Sequence, residues 1–106
     1  MEYRINSTTE LDIQSFLRFN YKLFAPEYEE ICESTKYYHK LYLYSTRFEI
    51  WDNERLIGLL CTYFNQENRF AYVPYLCIKT EYSGKGLATQ LLNKLIDMCS
   101  LKNILI

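Results

Sequence analysis

Glycine, proline and histidine are rare in this sequence: its 106 residues include three glycines, two prolines and one histidine. Cysteine occurs four times, but the spacings are wide and contain no C-x-x-C pair, so a zinc site is not expected and no metal ligand is assigned. We expect buried free thiols in a reducing, cytoplasmic compartment. The four thiols are those of Cys32, Cys61, Cys77 and Cys99.

The chain also lacks long apolar runs and an excess of one charge. No apolar run approaches the roughly 18 residues that a membrane span requires, and the N-terminal MEYRINSTTELD does not have the pattern of a signal peptide. Twelve basic and 13 acidic residues leave a net charge of −1, which argues against nucleic-acid binding. The apolar share of 49% supports one core. We therefore expect a single domain over residues 1–106, with neither nucleic acid nor membrane as a partner.

Apolar residues at helical spacing predict three helices. The first follows a capping box, with Ser7 as the predicted N-cap and Glu10 three residues later, and Pro26 ends or interrupts it. The second runs from a cap at Ser34 to about Leu43, and the third begins at residue 87. The first apolar stripe consists of Leu11, Ile13, Phe16, Leu17, Asn20, Tyr21 and Phe24. The last consists of Leu87, Ala88, Leu91, Leu92, Leu95, Ile96 and Cys99.

Alternating or continuous apolar runs predict the strands. They are Glu2 to Ile5, Arg47 to Asp52, Leu56 to Phe64 and Arg69 to Ile78, with the start of another at residues 103–106. The near-continuous apolar character of the third predicts a central strand. Proline cannot donate to a ladder, so Pro74 is expected at a bulge or where its strand leaves a neighbour. The order β-α-α-β-β-β-α-β predicts an α+β fold, a mostly antiparallel sheet with helices packed on it.

Two of the three glycines, Gly84 and Gly86, lie between the predicted strand Arg69 to Ile78 and the helix that begins at residue 87. Because the first turn of a helix has N–H groups without partners, a strand–Gly-X-Gly–helix junction suits an anion such as pyrophosphate. Lys85 adds a positive charge, and Ser83 is predicted to cap the helix or to donate its hydroxyl. The spacing fits neither the P-loop nor the dinucleotide fingerprint. An ordinary glycine turn is the alternative.

The segment from Leu76 to Leu92 resembles the acetyl-CoA-binding segment of the GNAT family of acyl-CoA N-acetyltransferases. That family has the pattern Arg/Gln-x-x-Gly-x-Gly/Ala after an apolar strand, often preceded by Pro-Glu-Tyr. Glu81-Tyr82, Gly86 and Ala88 match the pattern. Ser83 stands where Arg or Gln is usual, and Thr80 stands where Pro is common.

The resemblance implies that acetyl-CoA is the acyl donor and that an amine, on a small molecule or a peptide, is the acceptor. It places the pyrophosphate at the loop and helix start, formed by Ser83, Gly84, Lys85, Gly86, Leu87 and Ala88. It places the pantetheine arm along the backbone of Leu76, Cys77 and Ile78. It also implies a GNAT-like fold that is C-terminally incomplete, because the family continues through further strands and a helix.

The sequence assigns no catalytic residue. The family's general acid is commonly a tyrosine on a later helix, and its base is often an acidic residue on the strand where Pro74 and Tyr75 stand here. Glu49, or a water chain along Tyr72 or Tyr75, are weak candidates for the base. An N-acetyltransferase is the favoured function, and the alternative is a non-catalytic acyl-CoA-binding or interaction module. A plain structural domain is the third reading.

Tyrosine is unusually frequent, with 11 residues. The cluster formed by Tyr37, Tyr38, Tyr42 and Tyr44 suits packing at the edge of a core, or a ligand pocket. Nearby Glu27, Glu29, Glu30 and Glu33 would suit a cationic acceptor, or form an ordinary solvated helix surface. If the chain ends at Ile106, the unfinished sheet has an unpaired edge, which predicts a homo-oligomer formed through the C-terminal region.

Overall fold

The computed structural model of the chain describes residues 1–20, 35–65 and 67–102. The described strands are β1 (Glu2–Ile5), β2 (Thr46–Asp52), β3 (Arg55–Asn65) and β4 (Phe70–Ile78). The described α-helices are α1 (Glu10–Asn20), α2 (Thr35–Tyr44) and α3 (Leu87–Leu101), and a 3₁₀ turn over Thr80–Tyr82 joins β4 to α3. The predicted α+β fold is confirmed. The described element bounds agree with the predicted ones within about two residues, except for the end of α1, whose predicted stop at Pro26 lies outside the described residues.

The four strands form one sheet in the order β1-β2-β3-β4, and every neighbouring pair is antiparallel. β3 lies between β2 and β4, and helices cover both of its faces, which confirms the central strand predicted from its apolar run. The hairpin between β2 and β3 closes with Asp52 opposite Arg55. On its other side, β4 has no strand partner among the residues that the structure describes.

A bulge interrupts the pairing of β3 with β4. Cys61 lies opposite Tyr75 and Tyr63 lies opposite Tyr72, so Val73 and Pro74 together face the single residue Thr62. Two residues opposite one residue define a β-bulge. Proline is tolerated there because it has no N–H to donate, and a bulge residue need not donate to the ladder. The bulge predicted at Pro74 is therefore confirmed.

Each face of the sheet carries its own apolar core. On one face α1 and α2 pack over the sheet, and the buried residues include Ile13, Phe16, Leu17, Leu41, Leu59, Cys61, Tyr75 and Cys77. On the other face α3 packs over it, and the buried residues include Phe48, Ile50, Ile57, Leu60, Leu87, Leu91, Leu95 and Cys99. This three-layer arrangement fixes the start of α3 beside the end of β4. None of the helices in the described ranges has the length and apolar character needed to cross a membrane.

The N-cap of α1 is Thr9, and the prediction of Ser7 was wrong by two residues. The Asp12 N–H donates to Thr9 Oγ1 at 3.1 Å, and the Thr9 N–H donates to Asp12 Oδ2 at 2.9 Å, which is a reciprocal capping box. Ser7 instead donates its backbone N–H to Glu49, 42 residues away. Leu11, which was predicted on the apolar stripe, is 68% exposed.

Several predictions fall outside the described residues. They concern Tyr21, Phe24, Pro26, Glu27, Glu29, Glu30, Cys32, Glu33, Ser34 and the strand at residues 103–106. Of the clustered tyrosines, Tyr37 and Tyr38 pack against the core below α1 and α2, whereas Tyr42 and Tyr44 are exposed. The single histidine, His39, lies on α2 and contacts Glu10 of α1.

Candidate active site

The loop between β4 and α3 takes a compact conformation that depends on glycine. Within the 3₁₀ turn, the Tyr82 N–H donates to the Lys79 carbonyl at 2.9 Å. Gly84 and Gly86 then both have φ of +75°, the left-handed region that side chains with a Cβ disfavour. The two glycines therefore allow the chain to turn sharply into α3.

The start of α3 has no side-chain cap. Gly86 is the N-cap residue, and its carbonyl accepts the first helical bond, from the Gln90 N–H at 3.1 Å. The prediction that Ser83 caps the helix was wrong, because its hydroxyl donates to the Thr80 carbonyl at 2.8 Å. The N–H groups of the first turn thus have no acceptor within the helix and lie at the positive end of the helix dipole.

A surface pocket of about 290 Å³ opens in front of these N–H groups. A Cβ added at Gly84 or at Gly86 would meet no protein atom within 4 Å, so the space before both glycines is open. The pocket is lined by Ile78, Tyr82, Ser83, Gly84, Gly86, Leu87, Ala88 and Thr89. An anion can therefore approach the backbone here without displacing a side chain.

The outer edge of β4 presents backbone groups beside this pocket. The Lys79 N–H donates to the Ile57 carbonyl at 2.8 Å, so Lys79 and Ile57 form a hydrogen-bonded pair. In an antiparallel ladder hydrogen-bonded and non-bonded pairs alternate, and Cys77 lies opposite Leu59 in the same register. Cys77 therefore directs its backbone groups to β3, whereas Leu76 and Ile78 direct theirs to the outer edge.

At the bulge, the Pro74 carbonyl accepts a hydrogen bond from the Tyr37 hydroxyl at 3.1 Å. This contact joins α2 to β4, and it fixes one of the two bulge residues. Tyr75, the next residue, is buried, and its ring lies edge-on to Phe16 with centroids 6.3 Å apart. Tyr75 thus packs in the core under α1.

Glu49, one of the weak candidates for a catalytic base, is a structural carboxylate. It is 1% exposed, and it accepts hydrogen bonds from the backbones and side chains of Ser7 and Thr8 and from the indole N–H of Trp51 at 3.0 Å. The Arg47 Nε lies 3.9 Å from it. A carboxylate engaged by so many donors has no lone pair directed at a substrate. The interpretation of Glu49 as a base is therefore wrong.

An aromatic pocket, defined by Tyr63, Phe64, Asn65, Glu67, Phe70 and Tyr72, lies at the β3–β4 hairpin and has a volume of about 430 Å³. The rings of Tyr63 and Tyr72 are nearly parallel, at 15°, with centroids 6.4 Å apart. The Lys40 ammonium lies 5.4 Å from the centroid of Tyr63. Partial burial raises the pKa of the Tyr63 hydroxyl, which keeps it neutral. Tyr72 immediately precedes the bulge, so this pocket lies next to it.

One contact at the junction was not predicted from the sequence. The Tyr82 hydroxyl donates to Asp52 Oδ2 at 2.7 Å, and this hydrogen bond is the main cause that raises the pKa of Tyr82. The sequence identified Tyr82 only as part of a motif, and Asp52 only as the end of a predicted strand. Their 30-residue separation leaves no periodic signal in the sequence.

The described cysteines, Cys61, Cys77 and Cys99, are buried and form no disulfide. Burial raises the pKa of Cys61 to about 12 and also raises that of Cys99. Neither is a thiolate near neutral pH, so these two cysteines are unsuited to nucleophilic catalysis. This agrees with the prediction of structural thiols.

Comparison with known proteins identifies the fold and the family. GCN5 of Tetrahymena has a TM-score of 0.73 at 23% identity, and the match covers 99% of this chain and 68% of that one. A putative GNAT family acetyltransferase from Staphylococcus aureus has a TM-score of 0.77 at 14% identity, with 100% and 98% covered. PaiA N-acetyltransferase from Thermoplasma acidophilum, solved in complex with coenzyme A, has a TM-score of 0.68 at 20% identity, with 98% and 76% covered.

No curated protein matches the chain significantly. The model of the acetyltransferase (GNAT) family, however, matches residues 12–104, which include most of α1, all of α2, the strands β2 to β4 and α3. The chain therefore belongs to the GNAT family of acetyltransferases.

Proposed function

We propose that this chain binds acetyl-CoA at the junction of β4 with α3 and transfers the acetyl group to an amine. The observation that carries the proposal is the uncapped start of α3, behind two left-handed glycines and in front of an open pocket. Pyrophosphate is the part of coenzyme A that such a site favours. Family membership and the neighbours solved with coenzyme A support acetyl-CoA as the acyl donor.

In this proposal Gly84, Lys85, Gly86, Leu87 and Ala88 hold the pyrophosphate, mainly through backbone N–H groups. Ser83 lines the site, and its own N–H donates to the Thr80 carbonyl at 3.1 Å. The pantetheine arm lies along the outer edge of β4, where the ladder alternation leaves the N–H and C=O groups of Leu76 and Ile78 for it. The backbone groups of Cys77 form hydrogen bonds with β3, so Cys77 lies beside the pantetheine arm without hydrogen-bonding to it. The thioester then lies toward the bulge at Pro74.

The reaction that follows is attack of a neutral amine on the thioester carbonyl. A C–N bond forms, the C–S bond breaks, the amine loses a proton and the coenzyme A thiolate gains one. An alkyl amine with a pKa of roughly 10.4 is mostly charged at neutral pH, so its proton must be removed before attack. No general base or acid is assigned among the described residues, and transfer depends first on holding both reactants close together.

For the acceptor we propose an amine on a small molecule or a peptide, bound at the aromatic pocket. Tyr72 and Phe70 are exposed there, and Glu67 contributes a carboxylate beside them. The Lys40 ammonium already lies over the Tyr63 ring, so the exposed ring of Tyr72 is the one proposed to contact the amine. The pocket adjoins the bulge, where the thioester is placed.

The second candidate is a non-catalytic acyl-CoA-binding module. It is favoured by one observation: Glu49 is fully committed to structural hydrogen bonds and cannot serve as the base. An assay that measures free coenzyme A released from acetyl-CoA over a panel of amines separates the two functions. Release that depends on an added amine supports the transferase, whereas tight binding without any release supports the module.

The site itself is tested by placing a carboxylate at the loop. We expect Gly86→Glu to abolish acetyl-CoA binding in isothermal titration calorimetry, because it sets a negative charge against the pyrophosphate. Gly86→Asn, which tolerates the left-handed conformation, should bind more weakly than the wild type but measurably. Asn93→Glu adds the same charge at an exposed position of α3 and is the matched control. Unchanged affinity in a folded Gly86→Glu variant would contradict the proposed site.

Two further expectations concern assembly and location. We propose a homo-oligomer formed through the C-terminal region, which leaves the backbone groups of Leu76 and Ile78 at the outer edge of β4 for the pantetheine arm. Light scattering tests this, and a monomer across the micromolar range would contradict it. We also propose a cytoplasmic location, since the described cysteines form no disulfide.

A further inference from the structure

The loop that holds the pyrophosphate in the proposed function is tied to a hairpin turn elsewhere in the sheet. Asp52 is the last residue of β2, and its Oδ2 accepts the Tyr82 hydroxyl at 2.7 Å. Tyr82 is the last residue of the 3₁₀ turn, immediately before the loop Ser83–Gly86. A hydroxyl that donates to a carboxylate makes a charge-assisted bond, stronger than a bond between neutral groups.

Two cationic side chains lie close to Tyr82, one from the hairpin and one from the loop. Arg55 Nη2 lies 3.5 Å from the Tyr82 oxygen on the hairpin side. On the loop side, the Lys85 ammonium lies 5.6 Å from the centroid of the Tyr82 ring, within the range of a cation–π contact. Tyr82 therefore stands between the hairpin and the loop's only cationic side chain.

The hairpin turn after β2 positions Asp52 for this contact. Asn53 and Glu54 have φ of 49° and 65°, the left-handed conformation at both central positions that defines a two-residue type I′ turn. Glutamate is costly in this conformation, and such strain persists only where surrounding contacts impose it. Arg4 Nη2 donates to Glu54 Oε1 at 3.2 Å and supplies one of those contacts.

The loop, in contrast, has few contacts of its own. Its glycines face open space, and α3 begins without a side-chain cap. Two glycines adopt many backbone conformations in the absence of restraint, so ordering them on binding would reduce affinity. A restraint applied at Tyr82 removes part of that entropic cost before the ligand arrives.

We propose that Tyr82 and Asp52 are positioning residues for coenzyme A, and that Asp52 holds the loop in its binding conformation through the Tyr82 hydroxyl. The Tyr82 ring also keeps the Lys85 ammonium beside the site of the pyrophosphate. This inference rests on the proposed function, because it assumes that the loop binds coenzyme A. It adds two residues outside the loop and helix start to the determinants of affinity.

Calorimetric titration with coenzyme A tests whether the Tyr82–Asp52 hydrogen bond acts as a tether that holds the loop. We expect Tyr82→Phe and Asp52→Ala each to weaken binding about fivefold, as loss of one partly exposed charge-assisted bond would. Asp52→Asn retains a carbonyl oxygen that accepts the hydroxyl and should stay within about twofold of the wild type. Tyr82→Leu also loses the ring under Lys85 and should bind more weakly than Tyr82→Phe. Tyr44→Phe, at an exposed tyrosine of α2, is the control.

The double variant Tyr82→Phe/Asp52→Ala should bind no more weakly than either single variant, since both remove the same bond. Additive losses, or equal losses in Asp52→Asn and Asp52→Ala, would overturn the tether. A lower melting temperature with unchanged affinity would also overturn it, because the pair would then be merely structural. If the wild type fails to bind coenzyme A at all, the proposed function fails with it; if the wild type binds and the variants bind equally well, only this inference fails.

Discussion

Glu49 organises the region where β1 enters α1. Its carboxylate accepts bonds from Ser7 and Thr8, which lie between those elements, and from Trp51 on its own strand. Arg47, 5% exposed, is held by the Thr8 hydroxyl, by the Tyr42 carbonyl and by its proximity to Glu49. A buried carboxylate of this kind stabilises the fold because removing it would leave several buried donors without an acceptor.

We expect Glu49→Gln to lower the free energy of unfolding by about 3 kcal/mol, because the amide NH₂ would face the donors that now bond an oxygen. Urea denaturation followed by tryptophan fluorescence measures this. Glu67→Gln, at an exposed position, is the control and should change stability by less than about 0.5 kcal/mol. A loss below about 1 kcal/mol for Glu49→Gln would contradict the structural role.

At the level of elements, periodicity predicted the strands and helices well, because apolar spacing directly reflects which face is buried. It could not select the N-cap of α1. Ser7, Thr8 and Thr9 are all suitable cap residues, and the choice among them is made by Glu49, a residue of a distant strand. In the site, the sequence identified Gly84 and Gly86 through their spacing, but the Tyr82–Asp52 contact depends on how a hairpin folds back over the loop.

The cap of α1 provides a prediction at this scale. Thr9→Ala should lower the free energy of unfolding by about 1 kcal/mol, because it removes the oxygen that accepts the Asp12 N–H. Chemical denaturation measures the loss, and Ser100→Ala at the exposed end of α3 is the control. Asp12→Ala combined with Thr9→Ala should cost less than the sum of the single losses, since the two residues cap each other. A neutral Thr9→Ala would contradict the assignment of the cap.

For the whole molecule, stability comes from two apolar cores, one on each face of the sheet. Cys61 belongs to the core under α1 and α2, and burial raises the pKa of its thiol from 9.0 to about 12. In the unfolded chain the thiol ionises near pH 9, but in the folded chain it stays neutral until about pH 12. Its contribution to stability is therefore complete below pH 9 and declines as the pH rises from 9 to 12.

Cys61→Ala should isolate this effect. The free energy of unfolding of the wild type relative to that of the variant should fall by about 1 kcal/mol between pH 8 and pH 10, because only the unfolded wild type ionises a thiol at position 61. Urea titrations at both pH values measure the difference. The comparison cancels the effect of tyrosine and lysine ionisation, because both proteins contain the same tyrosines and lysines. A constant difference would mean that Cys61 ionises equally well in the folded protein.

The bulge at Val73 and Pro74 shifts the phase of side-chain alternation along β4. Before it, Ala71 faces the core under α3; beyond it, Tyr75 and Cys77 face the opposite core, although strict alternation would have kept all three on one side. The extra residue thereby turns Leu76 and Ile78 toward α3. Because of one inserted residue, the odd-numbered positions of β4 face one core before the bulge and the opposite core after it. The positions that must be apolar in one half of the strand therefore do not determine those in the other half.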